Sequence, residues 1–345
     1  MNFMDGKMKK IMAAVAVLSA LILASCGTSQ DSNGWYSDFN AAKKAAQAKN
    51  KEILFFVNSD SDVPGSENGV RAVLSKEFVD SVKSDFVCVH FDFTDLQSVF
   101  GVSENSEISS REQKKLEKRR ALLNSQFKVA DFYGIRETPV LNILSKEGYF
   151  ISEINCEFNS DSIEGFSSLL KLEADEISKF NKKVAATKKG SKTEKIDAID
   201  VLFEEAADVH KLALYDLLKK AVSMDSKNSS GKIGKYLFQI AHTDAYDKLL
   251  EQDFAGALKI YEKCAENKYM TPEYAQSLYF MCAELASKIP NVDSEDVISY
   301  MRQSVQAAPE SELVPQIQQY IEFMENSIAA EKNSALEETS EKSSE

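Results

Sequence analysis

The residues that could carry acid–base, thiol or metal chemistry are few and scattered in this chain of 345 residues. There are five cysteines and three histidines. His90, His210 and His242 have no cysteine or histidine partner at the spacing of a metal site. The sequence also lacks a glycine-rich phosphate loop and a G-x-S-x-G turn. We therefore predict no catalytic residue, no metal and no cofactor.

One polar loop, Asn58 to Ser66, follows an apolar run at a place that often carries chemistry. Its Asp60 and Asp62 begin like a calcium-binding loop, in which alternate residues direct oxygen atoms at one ion. The match fails because Pro64 replaces the third oxygen ligand and Arg71 stands where a bidentate glutamate is required. Capping of the following helix is the favoured role for these side chains.

The elements that position this loop are two apolar runs. Ile53 to Val57 and Phe86 to Phe91 have the length of strands, and continuous apolar runs are typical of strands buried on both faces. Apolar residues at helical spacing between the runs predict a helix, and hence a βαβ unit. Its helical positions are Val70, Val73, Leu74 and Val82, and those of a predicted preceding helix are Trp35, Phe39, Ala42 and Ala46.

Three further elements follow the second run. Arg111 to Tyr133 predicts a crossover helix that is ended by Gly134. Val140 to Leu144 and Tyr149 to Ile154 flank a short polar turn and predict a β-hairpin. Apolar positions from Ile163 to Phe180 predict a closing helix, so the first half of the chain has an α/β pattern.

This order of elements resembles the thioredoxin fold, which implies a thioredoxin-like domain over residues 35–182. Gly134 to Leu141 is similar to the family's segment in which a Thr-Pro bond is cis and faces the redox loop, so Thr138-Pro139 is the corresponding bond. Lys51 to Asp62 resembles the strand and Ser-Asp approach of a bacterial, often secreted, thioredoxin-like group. The Cys-Gly-Pro-Cys motif of that group then falls on Asp62-Val63-Pro64-Gly65.

The resemblance implies the fold without its redox chemistry. That chemistry needs a thiolate of lowered pKa at a helix N-terminus and a second thiol that resolves the mixed disulfide. Asp62 and Gly65 supply neither, and Phe56 stands where thioredoxins keep a buried aspartate. A recognition surface is predicted instead, formed by Asp60, Asp62, Val63, Pro64, Gly65, Thr138 and Pro139.

Other cysteines are the alternative source of redox chemistry. With the family's strand order, the strands of Cys88 and Cys156 lie three spacings apart, or ~14 Å, whereas a disulfide needs Cα atoms within ~7 Å. Cys264 and Cys282 are offset by ~12 Å along predicted antiparallel helices. Inert buried thiols are favoured, and a thiol-disulfide oxidoreductase that uses these cysteines is the alternative function.

The second half of the chain has helical patterns throughout. The polar and basic residues 187–195 predict a domain boundary, and an all-α domain is predicted over residues 195–328. Gln252 to Ala265 recurs in form as Glu295 to Pro309, and Ala257 and Val297 are 40 residues apart. Both segments resemble the second helix of a tetratricopeptide repeat, whose period is ~34 residues. Leu214 to Asn228 is a weaker copy.

Two further expectations concern this half of the chain. Tyr261, Tyr279 and Tyr300 either pack inside the repeats or line a ligand groove, and the packing role is favoured. Residues 329–345 contain no aromatic residue and are rich in glutamate and serine, which predicts a disordered acidic tail.

The beginning of the chain has the pattern of a secretory signal. Lys9 and Lys10 precede the apolar run Ile11 to Leu23, which is too short to span a bilayer comfortably. Leu23-Ala24-Ser25-Cys26 resembles the lipobox of bacterial lipoproteins, in which the cysteine is lipidated after cleavage. We therefore predict a signal peptide over residues 1–25, a lipid anchor on Cys26, a tether over residues 26–34 and an extracytoplasmic location on a bacterial membrane.

Charge narrows the choice of partner. The whole chain has a net charge of −13, and loss of residues 1–25 removes three lysines and one aspartate, which leaves −15. Such a surface disfavours nucleic acid. The basic run Arg111 to Arg120 could dock an acidic partner, although a solvated helix face with i,i+4 pairs is favoured. The predicted function is a membrane-tethered, non-catalytic module that binds a protein or peptide.

Overall fold

The computed structural model describes residues 30–60, 66–101, 109–154 and 162–342. Cys26, Asp62 to Gly65 and Cys156 lie outside the described residues. The chain divides into two compact units, residues 1–178 and residues 179–345. The first is an α/β unit and the second is all-α, as predicted.

Four strands form one mixed sheet in the first unit: β1 (Glu52–Ser59), β2 (Phe86–Phe93), β3 (Val140–Leu144) and β4 (Phe150–Glu153). The strand order is β2-β1-β3-β4. β1 runs parallel to β2 and antiparallel to β3, and β3 runs antiparallel to β4. The predicted strands and the predicted hairpin are confirmed.

Helices precede and connect these strands: α1 (Phe39–Lys49), α2 (Glu67–Leu74), α3 (Lys76–Val82), α4 (Leu96–Phe100), α5 (Ser110–Phe132), α6 (Ile163–Leu172) and α7 (Ala174–Ala186). Two of the predicted helices are each divided in two. Ser75 has a ψ of 153° and its hydroxyl accepts a hydrogen bond from the amide of Phe78, so it ends α2 and caps α3. Glu173 separates α6 from α7.

Helices cover both faces of the sheet. Phe56 and Cys88 belong to a core that includes side chains of α2, α3 and α6. On the opposite face, the ring of Phe55 packs against two other rings. Its centroid lies 5.6 Å from that of Phe39 in α1 and 5.9 Å from that of Tyr133 at the end of α5. This two-sided coverage explains why β1 and β2 have continuous apolar sequences instead of alternating ones.

The segment before α1 covers the outer edge of β2. The amide of Tyr36 donates to the carbonyl of Cys88, and the amide of His90 donates to the carbonyl of Tyr36, both at 2.9 Å. Trp35, predicted as part of the first helix, precedes that helix and packs its ring 6.1 Å from Phe56. The segment therefore protects an edge strand that would otherwise expose unpaired backbone groups.

The second unit consists of α8 (Lys192–Glu205), a 3-10 helix (Asp208–Leu214), α9 (Tyr215–Met224), α10 (Ile233–Leu250), α11 (Phe254–Ala265), α12 (Pro272–Ala286), α13 (Ser294–Ala307) and α14 (Val314–Lys342). From α9 to α14, neighbouring helices pack against each other in chain order. Ala245, Ala257 and Ala283 are fully buried at these contacts. Small side chains let the helices approach closely.

The two predicted boundaries of the second half have different outcomes. Residues 187–195, predicted as a domain boundary, contain the turn between α7 and α8, and Ser191 and Glu194 form a capping box that starts α8. The tail predicted as disordered is helical as far as Lys342, as a continuation of α14. Its alanines, glutamates and lysines are good helix formers, and Ile317 and Ile321 bury the start of the same helix. A scarcity of aromatic residues indicated weak packing, not the absence of a helix.

Candidate functional site

Polar side chains collect at one edge of the sheet, where β1 and β2 end and β3 begins. The two parallel strands share this edge, and the antiparallel pairing of Val57 with Val140 brings the start of β3 beside them. We call this group the carboxyl-edge site. Its members are Asn58, Ser59, Asp60, Asp92, Thr94, Asp95, Thr138 and Pro139.

A pair of hydroxyl groups joins β1 to the turn before β3. The Oγ atom of Ser59 lies 2.6 Å from Oγ1 of Thr138, and the peptide bond between Thr138 and Pro139 is cis. Ser59 immediately precedes Asp60, so three of the residues predicted for a recognition surface, Asp60, Thr138 and Pro139, come together here. The other four, Asp62 to Gly65, are outside the described residues.

The carboxylates of the site hold its turns. Oδ2 of Asp60 accepts a hydrogen bond of 2.7 Å from the amide of Asp95, which has a φ of 61°. Oδ1 of Asp92 accepts bonds from the amide and the hydroxyl of Thr94, at 3.0 and 2.6 Å. Within the described part of the chain, no group of three or more histidine, cysteine or acidic residues is placed to hold a metal ion.

His90 is packed beneath this edge. Nε2 of the imidazole lies 2.6 Å from Oδ1 of Asn58, and its ring stacks on Phe56 with a centroid distance of 5.4 Å. Burial lowers the pKa of His90 to about 4, although the nearby carboxylate of Asp92 opposes the shift. The neutral imidazole therefore donates its Nε2 hydrogen to Asn58 at ordinary pH.

The described thiols are unpaired and poorly suited to nucleophilic chemistry. Burial raises the pKa of Cys88 to about 12, that of Cys264 to about 11 and that of Cys282 to about 12. The thiolate is the reactive form, so almost none of it is present near neutral pH. The Sγ–H group of Cys264 donates to the carbonyl of Leu237 at 3.4 Å.

The basic run on α5 has two kinds of residue. Its first cations, Arg111 to Lys118, are exposed, as a solvated helix face would be. Its last two turn inward: Nη2 of Arg119 donates to the carbonyl of Asp92 at 3.2 Å, and Nε of Arg120 donates to the carbonyl of Val99 at 2.9 Å. These arginines fix the middle of α5 to the backbone at Asp92 and Val99, a role that the expected i,i+4 pairs do not include.

Three tyrosines of the second unit, Tyr261, Tyr279 and Tyr300, pack against its helical core. Tyr261 is 4% exposed, and burial raises its pKa to about 12. Tyr279 and Tyr300 are half-buried against the same core, and the hydroxyl of Tyr300 donates to Oε1 of Glu262 at 3.0 Å. The favoured packing role is confirmed for Tyr261.

The sequence did not predict Asn58, Ser59, Asp92, Thr94 and Asp95 as members of the site. A signal for them was present, because polar residues follow both apolar runs and the carboxyl ends of parallel strands share one edge of a sheet. The partner hydroxyl on Thr138 could not be found in this way, since it is 79 residues from Ser59 along the chain.

A comparison with protein-family models finds a match within the second unit. A family described as "Uncharacterised protein C-terminal domain" matches residues 232–330, from the start of α10 into α14. An uncharacterized protein of Treponema pallidum (strain Nichols) is 26% identical over 194 residues, which are 55% of this chain. The match covers 63% of that relative, so the chain spans less than two thirds of its length. No helix among the described residues has the length and apolar character needed to cross a membrane.

Proposed function

We propose that this chain is a membrane-tethered, non-catalytic thioredoxin-like lipoprotein that binds an extended segment of another protein. The thioredoxin-like domain would comprise residues 35–182, and a tetratricopeptide-like helical domain would follow over residues 195–328. Lipid on Cys26 would hold the protein on the extracytoplasmic side of a bacterial membrane.

The arrangement of the first unit supports the thioredoxin-like assignment. A parallel β1-β2 pair, a β3-β4 hairpin and helices on both faces are the elements that the resemblance implies. The cis bond before Pro139 lies at the edge where the two parallel strands end, which is the place of the redox loop in that family. Phe56, which would stand at the position of the family's buried aspartate, is fully buried.

The observation that carries the proposal is the turn that Ser59 and Thr138 hold together. Within the described residues, the main-chain groups of Glu137 and Thr138 make no hydrogen bond, although the side chain of Thr138 is fixed by Ser59. A fixed segment with free amide and carbonyl groups is suited to pair with an extended peptide. The site thus has a means of binding without a means of thiol exchange.

The second unit supports a role in binding. In α11 and α13, Tyr261 and Tyr300 occupy related places in two segments of similar form, and both contact the same core. Stacked helical pairs present extended concave surfaces to partner proteins. An oxidoreductase that uses other cysteines is not favoured, because burial raises the pKa of each described thiol.

Site-specific photocrosslinking tests the binding role. A photoreactive amino acid would replace Glu137, which is exposed beside Thr138, in the full chain expressed in its own cell. Glu153 at the end of β4 is also an exposed glutamate and provides the matched control position. We expect discrete crosslinked adducts from position 137 and none from position 153. Adducts from neither position, or equally from both, would contradict peptide binding at this edge.

Restoration of the thiols tests the thioredoxin-like assignment separately. We expect the wild-type protein to reduce no insulin disulfide and the double variant Asp62→Cys, Gly65→Cys to gain this activity, because both thiols would stand at the family's redox positions. A folded double variant without activity would mean that the motif is wrongly placed. Wild-type activity that Cys88→Ser abolishes would instead support the oxidoreductase.

A further inference from the structure

A lysine-lined cleft lies at the other edge of the same sheet, where β1 and β2 begin. It has a volume of about 690 Å³, and its floor includes Val79, Phe86 and Val87. Two segments of the wall are the first described residues of the chain, Gln30 to Gly34, and the start of α3. We call it the lysine cleft. Its cations are Lys49, Lys51, Lys76 and Lys83.

The positive charge of this cleft is only partly neutralised. Its two aspartates are already engaged: Asp31 accepts hydrogen bonds from three backbone amides, and Asp80 pairs with Lys83 at 2.6 Å. Lys49 and Lys76 are exposed and make no ion pair or hydrogen bond with any described residue. An excess of cations thus persists locally on a chain whose net charge is −13.

The cleft lies next to the predicted lipid anchor. Gln30 lines it and follows Cys26 by four residues, which span at most ~14 Å when fully extended. The wall of the cleft must therefore stay within that distance of the lipidated residue. Phosphate groups of a bilayer surface would be the nearest dense source of negative charge.

We propose that the lysine cleft binds the phosphates of anionic phospholipid headgroups in the membrane that holds the Cys26 lipid. This inference rests on the proposed lipid anchor and adds an orientation to it. Lys49 and Lys76, which form no ion pair with a described residue, supply the charge. The attraction falls off within about one Debye length, ~8 Å, of the surface. The amino edge of the sheet, where β1 and β2 begin, would then lie on the bilayer. The carboxyl-edge site, where these strands end, would face away from the bilayer and be accessible to a partner.

Lysine footprinting on vesicles tests this orientation. The full mature protein, lipidated on Cys26, would be reconstituted in phosphatidylcholine vesicles with or without phosphatidylglycerol and briefly treated with a membrane-impermeant acylating reagent. We expect Lys49 and Lys76 to react about fivefold more slowly on the anionic vesicles, the factor expected for one lysine near such a surface. Lys114 and Lys118, exposed on α5 at the opposite edge, should react equally on both and provide the control.

A pair of variants separates charge from mere proximity. Lys49→Gln with Lys76→Gln should remove the protection that anionic lipid gives to Lys83, whereas Lys114→Gln with Lys118→Gln should leave it unchanged. Failure of the protein to associate with either vesicle would contradict the lipid anchor and thus the proposed function. Association with equal labelling on both vesicles, or protection of Lys114 together with the cleft, would overturn the headgroup site and leave the anchor standing.

Discussion

The two edges of the sheet in the first unit use polar side chains in opposite ways. At the carboxyl edge, side chains hold one another and the turns, as Ser59 holds Thr138 and Asp60 holds the amide of Asp95. At the amino edge, where β1 and β2 begin, Lys49 and Lys76 form no ion pair or hydrogen bond with a described residue, although the charge of Lys76 acts on Asp80. The first arrangement fixes the shape of the backbone for a directional contact, whereas the second leaves charge available for a diffuse one.

The largest expected effect comes from an acidic residue at the buried position 56 of β1. Phe56→Asp should destabilise the first unit by about 4 kcal/mol or more, because it removes a fully buried ring and leaves a carboxylate among apolar neighbours. Trp35 is the single tryptophan and lies in this unit, so its fluorescence during urea unfolding reports on the unit alone. Phe56→Leu is the control and should cost about 1–2 kcal/mol. A Phe56→Asp variant as stable as this control would contradict a close-packed apolar environment at this position.

The second effect is a dependence of stability on pH that arises from His90. Its folded pKa of about 4 lies below the ordinary value of 6.5, so between these values the unfolded chain binds a proton that the folded chain does not. Stability should therefore fall as the pH decreases from 6.5 towards 4, by about 2 kcal/mol from this group, since solvent reaches part of the ring. Above pH 6.5 the contribution of His90 is constant.

Urea unfolding at several pH values checks this sign. His90→Gln keeps an amide donor for Asn58 but does not titrate, so its stability should depend less steeply on pH over that range. His242 also has a pKa lowered by burial, but it belongs to the second unit, which Trp35 does not report. Parallel curves for the wild type and His90→Gln would contradict a buried neutral imidazole.

Most of the framework of the first unit could be predicted because its signals are local. The continuous apolar runs of β1 and β2 and the polar turn of the hairpin each specify an element without reference to distant residues. The break at Ser75 was missed because the apolar spacing of Val70, Val73 and Val82 continues across it, and only the serine's hydrogen bond to Phe78 ends one helix and starts the next. Helical periodicity alone does not reveal a cap within an apolar stripe.

The site was predictable only in part for a related reason. Asp60, Thr138 and Pro139 were found through local motifs, but the hydroxyl pair joins residues 79 positions apart. The lysine cleft had no signal in the sequence, because folding brings Lys49 and Lys51, around the turn between α1 and β1, beside Lys76 and Lys83, at the two ends of α3. Its aspartates are engaged only in the folded chain. A run of charged residues such as Arg111 to Arg120 is visible in a sequence. A cluster of charged residues that come together only on folding is not.

A smaller effect measures the link that holds the carboxyl edge. In a double-mutant cycle of Ser59→Ala and Thr138→Val, we expect a coupling of about 1 kcal/mol in the free energy of unfolding, since the two hydroxyls are 2.6 Å apart and part-buried. The exposed pair Ser81 and Ser167, with oxygens 3.2 Å apart, is the matched control and should couple by less than about 0.5 kcal/mol. Equal coupling in both pairs would remove the basis for a specially fixed turn.

The smallest effect belongs to the amino edge, and its smallness is informative. Lys49→Gln and Lys76→Gln should each change the free energy of unfolding by less than about 0.5 kcal/mol, because neither cation contacts a described partner. Lys51→Gln should cost more than either, since Nζ of Lys51 donates to the carbonyl of Lys83. If Lys49 and Lys76 proved as important to unfolding as Lys51, their charge would serve the fold. If the two substitutions leave the free energy of unfolding unchanged, the charge of Lys49 and Lys76 is available for a surface outside the protein. The hydroxyl pair at the opposite edge instead stabilises the shape of the protein itself.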